Sequence, residues 1–157
     1  MGGGSATGRN YISLSNRNTK LNSYILNKDV PKVFISFHNA DKAQVGLLRH
    51  QAKSPDFDLE FEDGSLKKPY RVEWRKNIVG DIKESDVLLV AIGQETYSRS
   101  AVKYEIDVAY REGKPIIGVI LDRDGNHKIP QTLIDYGAPI VNWNMNEISY
   151  TLNTVAS

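Results

Sequence analysis

The chain has 157 residues, enough for one domain with a sizeable core, and its 20 Lys and Arg residues nearly balance its 19 Asp and Glu residues, for a net charge of +1. This balance, without a basic stripe, gives no reason to expect a nucleic-acid partner, and no apolar run approaches the roughly 20 residues of a membrane span. The absence of Cys excludes a disulfide framework and thiolate metal sites and, together with a polar, glycine-rich N-terminus in place of a secretory signal, predicts a cytoplasmic protein.

The first 30 residues show no sustained hydrophobic period. Residues 1–5 resemble a tag remnant, and residues 6–30 are rich in Asn, Ser, Thr and Lys. We interpret residues 1–30 as a tag remnant followed by a polar N-terminal arm, and we place a single domain at residues 31–157.

From residue 31 onward, strand-like and helix-like segments alternate. Apolar and β-branched runs predict strands at residues 32–37, 57–61, 86–93, 115–121 and 139–143. Helical periodicity predicts helices at residues 41–53, 70–85, 98–110 and 144–156, a short helix or loop at 129–136, and a loop at 62–69. This alternation predicts a three-layer α/β protein, flavodoxin-like, with a five-stranded parallel sheet in the order 2-1-3-4-5.

That strand order places a crevice beyond the carboxyl ends of strands 1 and 3. The segments that follow these two strands supply the candidate substrate-binding residues Phe37, His38, Asn39, Asp41, Gln94, Thr96 and Tyr97. Simpler explanations stay open for two of them: His38 as a hydrogen-bonded imidazole at a strand end, and Asp41 as a helix N-cap.

Glu105 is the most unusual residue of the predicted helix at 98–110. It lies on the same helical stripe as Ala101, Val102 and Val108, which predicts that its carboxylate is buried. A buried carboxylate is costly unless it is paired, hydrogen-bonded or used in chemistry. The helix follows strand 3, so we expect Glu105 to lie in the crevice.

Several enzyme classes lack their motifs in this sequence. His38, His50 and His127 do not have metal-ligand spacing, and there is no Gly-x-Gly-x-x-Gly, Gly-Lys-Ser/Thr or Gly-x-Ser-x-Gly segment. Strand 1 ends in Phe37 and His38 rather than in the acidic pair of phosphoacceptor receiver domains. We therefore expect no metal site and no resident cofactor.

An ordered set of segments resembles a TIR-like domain. The set consists of Lys-Val-Phe-Ile-Ser-Phe-His at 32–38, Phe-Asp-Leu-Glu-Phe-Glu-Asp at 57–63, Trp74, the run at 82–96 and the stretch from Ser100 to Glu105. Over roughly residues 31–143 it is most similar to the prokaryotic TIR-like family of the Thoeris antiphage system, the ThsB proteins.

The resemblance implies an enzyme that cleaves NAD, releases nicotinamide and makes an ADP-ribose-derived signal, cyclic or linear, that activates an effector protein. It implies that Glu105 is the catalytic residue, that NAD is a substrate rather than a cofactor, and that Asp63 and Ser65 of the loop after strand 2 contact it. It also implies a phage-derived trigger as a partner and leaves a homo-oligomer open.

Three alternatives remain at this point. Glu105 could be half of an ion pair with Arg99, Lys103 or Arg49. The domain could be a non-enzymatic TIR-like scaffold. It could also be a nucleoside-processing transferase of flavodoxin-like fold, which would use a pocket glutamate on an N-glycosidic bond.

Overall fold

The computed structural model describes residues 31–57, 59–63 and 72–156. The strands are β1 (Lys32–Ser36), β2 (Glu60–Asp63), β3 (Val87–Ile92), β4 (Ile116–Ile120) and β5 (Ile140–Asn142). The helices are α1 (Lys42–Ala52), α2 (Val72–Glu84), α3 (Ser100–Arg111), α4 (Gln131–Asp135) and α5 (Met145–Ala156). In the part of the chain described, no helix is both long and apolar enough to cross a membrane. The proposed arm at residues 1–30 lies outside these residues.

The strands form one parallel sheet in the order β2-β1-β3-β4-β5. The α/β class and the parallel sheet predicted from the alternation of elements are confirmed. Ser36, the last residue of β1, pairs in register with Val90 of β3. The chain winds to opposite sides from β1, so the carboxyl ends of β1 and β3 border the point where the winding reverses.

The sheet separates two apolar cores, because successive residues of a strand point to opposite faces. Val33 and Ile35 pack on one face with buried residues of α1 and α5. Phe34 packs on the other face with buried residues of α2, α3 and α4. Ser36 has the same parity as Phe34, and its side chain therefore points toward the face that carries α3.

The second strand lies later in the chain than its alternating pattern predicts. It begins at Glu60 rather than at residue 57. Phe57 lies in a turn, with its N–H donating to the carbonyl of Ser54, and the N–H of Leu59 donates to the carbonyl of Ala52 at the end of α1. These bonds hold Phe57 and Leu59 near the end of α1, so the backbone joins the sheet only afterwards.

The helix that carries Glu105 also begins later than predicted. A 3-10 turn occupies Thr96–Ser98, and Arg99 is extended, with φ −90° and ψ 119°. α3 therefore begins at Ser100 rather than at residue 98. At its other end, the predicted stop is confirmed, since Gly113 has a positive φ of 72°.

Candidate active site

Glu105 lies on the buried side of α3. Its neighbours on that side are Val102, Ile106, Val108 and Ala109. The exposed fraction of Glu105 is 0%, as its apolar stripe predicts. Because a carboxylate without polar contacts would be costly at such a position, the groups that meet it are the centre of the site.

The Glu105 carboxylate is held by Ser36 at the carboxyl end of β1. The Ser36 hydroxyl donates a hydrogen bond to Oε1 of Glu105, and the exposed fraction of Ser36 is also 0%. Hydrogen bonds to an ionised acceptor are roughly twice as strong as those between neutral groups. The Ser36 hydroxyl thus satisfies Oε1 of a buried carboxylate at the interface of sheet and helix.

Two of the cations considered as partners of Glu105 form ion pairs with other carboxylates. Arg99 pairs with Glu95, four positions earlier in the chain. Lys103 Nζ lies 2.8 Å from Oδ2 of Asp107, one turn after it. The third cation considered, Arg49, belongs to α1, which packs on the opposite face of the sheet. The observed contact of Glu105 with the Ser36 hydroxyl is a hydrogen bond and not an ion pair.

A second cluster of polar side chains lies where β1 and β3 end. Thr96, with an exposed fraction of 1%, accepts a hydrogen bond from the Gly93 N–H at 2.8 Å and donates one to Oδ2 of Asp41 at 3.5 Å. Burial raises the pKa of Asp41, and the nearby His38 and His127 partly offset that shift. Asp41 makes no side-chain N-cap bond to α1, which leaves it as a group of this cluster rather than a cap.

His38 lies at the outer side of this cluster. Its Nε2 is 3.7 Å from Oε1 of Glu95, and the same Glu95 oxygen pairs with Arg99. The exposed fraction of the His38 side chain is 20%, against 57% for Glu95. These residues form a short row of polar and charged side chains at the surface.

An open cleft of about 1200 Å³ lies at the carboxyl edge of the sheet, on the face of α1 and α5. Its walls come from the start of α1, the segments after β3, β4 and β5, and the start of α5. The residues that line it are Asp41, Gln44, Leu47, Gln51, Gln94, Leu121, Asp122, Arg123, Asn126, His127, Asn142, Trp143, Asn144 and Met145.

This cleft contains Asp41 and Gln94 of the predicted set but not Glu105. Glu105 does not line this cleft, since α3 packs against the opposite face of the sheet, and the placement of Glu105 in a crevice stays a prediction. The burial of Phe37 follows the same division: its exposed fraction is 5%, and it packs in the core shared with α1 and α5.

The remaining predicted residues are spread over the surface. Asn39 is exposed in the turn before α1. Tyr97 is 46% exposed, and Lys128 Nζ lies 4.8 Å from the centre of its ring. Asp63 ends β2, and Ser65 lies outside the described residues. Within residues 31–57, 59–63 and 72–156, no three His, Asp or Glu side chains cluster as a metal site would need.

Two residues of this region were not singled out from the sequence. Ser36 could have been recognised as a polar residue ending a strand whose other inward residues are apolar. Gly93 is needed because a β-carbon there would overlap the Asp41 carboxylate, and this close approach has no signal in the sequence.

Comparison with known proteins yields similarity at the level of family. The family model described as Thoeris protein ThsB, TIR-like domain, matches residues 34–126. A protein of Bacillus cereus (strain MSX-D12), named "Putative cyclic ADP-D-ribose synthase ThsB1", is 30% identical over 110 residues, which are 62% of this chain and 57% of that protein. The chain thus matches little more than half the length of this relative.

One solved structure with a similar backbone is that of the TIR domains in the activated Roq1 resistosome recognising the pathogen effector XopQ. It has a TM-score of 0.44 and 17% sequence identity, over 80% of this chain and 83% of that chain.

Proposed function

The chain belongs to the ThsB TIR-like domain family, and from this premise we propose that it cleaves the nicotinamide–ribose bond of NAD with Glu105 as the essential carboxylate. The observation that carries the proposal is the burial of Glu105, with one carboxylate oxygen hydrogen-bonded to Ser36. A carboxylate placed in a site of low polarity and held in position is the arrangement expected of a group that stabilises charge during a reaction.

Cleavage of the nicotinamide–ribose bond requires little more than a carboxylate placed in this way. As the bond between C1′ of the ribose and the nicotinamide nitrogen breaks, its electron pair goes to the ring nitrogen and neutralises the pyridinium. Positive charge then develops on C1′ and the ring oxygen of the ribose, as in glycoside cleavage. An ionised Glu105 would stabilise that charge until water or a nucleophilic atom of the same molecule adds to C1′.

The proposal extends to the product of the reaction and to its biological context. The curated relative is named as a cyclic ADP-D-ribose synthase, which favours an ADP-ribose-derived signal, cyclic or linear. We propose that such a signal activates an effector protein and that a phage-derived trigger switches on its synthesis.

The test is to incubate the purified protein with NAD, with and without extract of phage-infected cells, and to measure free nicotinamide and the mass of the second product. Glu105→Gln should lower nicotinamide release by about 100-fold or more, because it removes the charge and keeps the shape. Glu112→Gln, at the exposed end of the same helix, is the matched control and should remain active.

Three outcomes would contradict the proposal. Full activity of Glu105→Gln would remove Glu105 from the mechanism. No nicotinamide from the wild-type protein, even with the extract, would favour a non-enzymatic scaffold. Cleavage of free nucleosides without cleavage of NAD would favour a nucleoside-processing transferase.

A further inference from the structure

We infer that Ser36 is a positioning residue for the reaction: its hydroxyl, at the carboxyl end of β1, holds Oε1 of Glu105 and so orients the carboxylate toward the ribose. The inference rests on the proposed function of Glu105. Its structural basis is independent of that function, since the two side chains come from elements separated by 69 positions in the sequence and are both fully buried.

The anchor on β1 is rigid. β1 lies inside the sheet, hydrogen-bonded to β2 on one side and to β3 on the other, and Ser36 is in register with Val90. Its hydroxyl therefore starts from a backbone position that pairing with β3 defines, one residue after the last pair of β1 with β2. A side chain supported by a central strand is placed more accurately than one supported by a loop.

The carboxylate needs such an anchor because the glutamate side chain has three rotatable bonds. Its attachment to α3 sets the position of the Glu105 backbone but not the plane of the carboxylate. A hydrogen bond from Ser36 fixes the position of Oε1 and so restricts the orientation of the carboxylate. A carboxylate that is oriented before the substrate arrives loses less freedom in the transition state.

The hydroxyl has one proton to donate, and Ser36 donates it to the carboxylate. Removal of the hydroxyl would leave Glu105 in place with a less defined orientation. Because Glu105 is proposed to act on charge that exists only in the transition state, the loss should lower kcat and kcat/KM together and leave KM for NAD nearly unchanged.

The experiment compares the kinetics of NAD cleavage for a set of full-length variants, each with its folding checked by circular dichroism and thermal unfolding. We expect Ser36→Ala to lower kcat by roughly 10- to 100-fold, with KM changed by less than about twofold. Ser36→Thr keeps a hydroxyl and should recover much of the activity. Ser36→Cys replaces the hydroxyl with a somewhat larger thiol that is a weaker donor, and should be slow even if Ser36→Ala folds poorly.

The matched control is Ser85→Ala. Ser85 is also buried, with 2% exposed, but its hydroxyl donates to the carbonyl of Asp81 at the end of α2. Ser85→Ala removes the hydrogen bond of a buried serine that lies away from Glu105, and it should leave kcat unchanged. A further control is Ser36→Ala combined with Glu105→Gln, which should be no slower than Glu105→Gln alone.

The outcomes separate this inference from the proposed function. If the wild-type protein releases nicotinamide and Glu105→Gln does not, but folded Ser36→Ala and Ser36→Cys keep the normal kcat, the positioning role is wrong and the proposed function stands. Equal losses in Ser36→Ala and Ser85→Ala would also overturn it, since both would then reflect stability alone. If the wild-type protein releases no nicotinamide with the extract, the proposed function fails and the positioning role fails with it.

Discussion

The carboxylate of Asp41 occupies the space that a β-carbon on Gly93 would need. This contact joins the turn before α1 to the end of β3, at the edge of the sheet where the winding reverses. Asp41 can come this close because Gly93 has no side chain, and not because the backbone at Gly93 is unusual, since the glycines with positive φ are at other positions.

We expect Gly93→Ala to lower the free energy of unfolding by about 1–3 kcal/mol, because the new methyl group overlaps the Asp41 carboxylate and displaces it from Thr96. Chemical denaturation measures the effect. In an Asp41→Ala background the same substitution should cost much less, because the overlapping atoms are gone. Equal costs in both backgrounds would mean that the contact does not restrict position 93.

Asp41→Asn should raise stability relative to the wild-type protein at pH 7, with a difference that shrinks as the pH falls. Burial raises the pKa of Asp41 in the folded protein, so the native state binds this proton more tightly than the unfolded chain does. The ionised carboxylate of Asp41 therefore destabilises the folded protein at neutral pH. This destabilisation disappears as the pH falls through the raised pKa toward the ordinary value of 3.8.

Unfolding of both proteins by urea, at intervals from pH 7 to about pH 4, gives the difference directly. Asn keeps an oxygen that can accept a hydrogen bond from Thr96. A wild-type protein that is the more stable of the two at pH 7 would contradict the predicted sign.

Ser36 and Glu105 should be coupled in stability as well as in activity. Ser36→Ala is expected to cost about 1.5–3 kcal/mol, because it removes a hydrogen bond to a buried charged group. Replacement of both residues, by Ser36→Ala and Glu105→Met, should cost less than the sum of the single changes, since no buried carboxylate is left to satisfy. Strictly additive costs would show that the two side chains do not interact.

Gly118 of β4 should not tolerate a side chain. A β-carbon there would lie 2.7 Å from Cδ1 of Ile140 and 3.0 Å from Cδ1 of Ile92, both in the core beneath α4. We expect Gly118→Ala to destabilise the protein by about 1–3 kcal/mol. Gly46→Ala is the control: position 46 is an exposed helical site with nothing within 4 Å, where alanine should stabilise by about 0.5–1 kcal/mol.

Local pattern was sufficient for much of the fold. The continuous apolar run before Gly93 predicted a strand buried on both faces, and every residue of β3 is buried. Gly113, followed by Lys114 and Pro115, predicted the end of α3, and the Lys114 N–H indeed donates to the carbonyl of Ala109. Signals of this kind succeed because strand burial and helix termination depend on residues that are adjacent in the chain.

The pattern failed where a distant contact decided the outcome. Alternation at residues 57–61 predicted a strand, but Phe57 lies in a turn bonded to Ser54, Leu59 bonds to the end of α1, and the strand begins at Glu60. The sequence also could not show that the cleft containing Asp41 lies on one face of the sheet and the helix carrying Glu105 on the other, because that division depends on how the helices pack.

By itself, then, the sequence determined the α/β class, the parallel sheet and the burial of Glu105, because each follows from the spacing of apolar residues along a short stretch of chain. Only the tertiary structure decided which group meets that carboxylate. Ser36 is 69 positions away and comes within hydrogen-bond distance because β1 lies beside β3, beneath α3. Periodicity reports which side of an element is buried, but the partner on the facing element is set by how the elements pack.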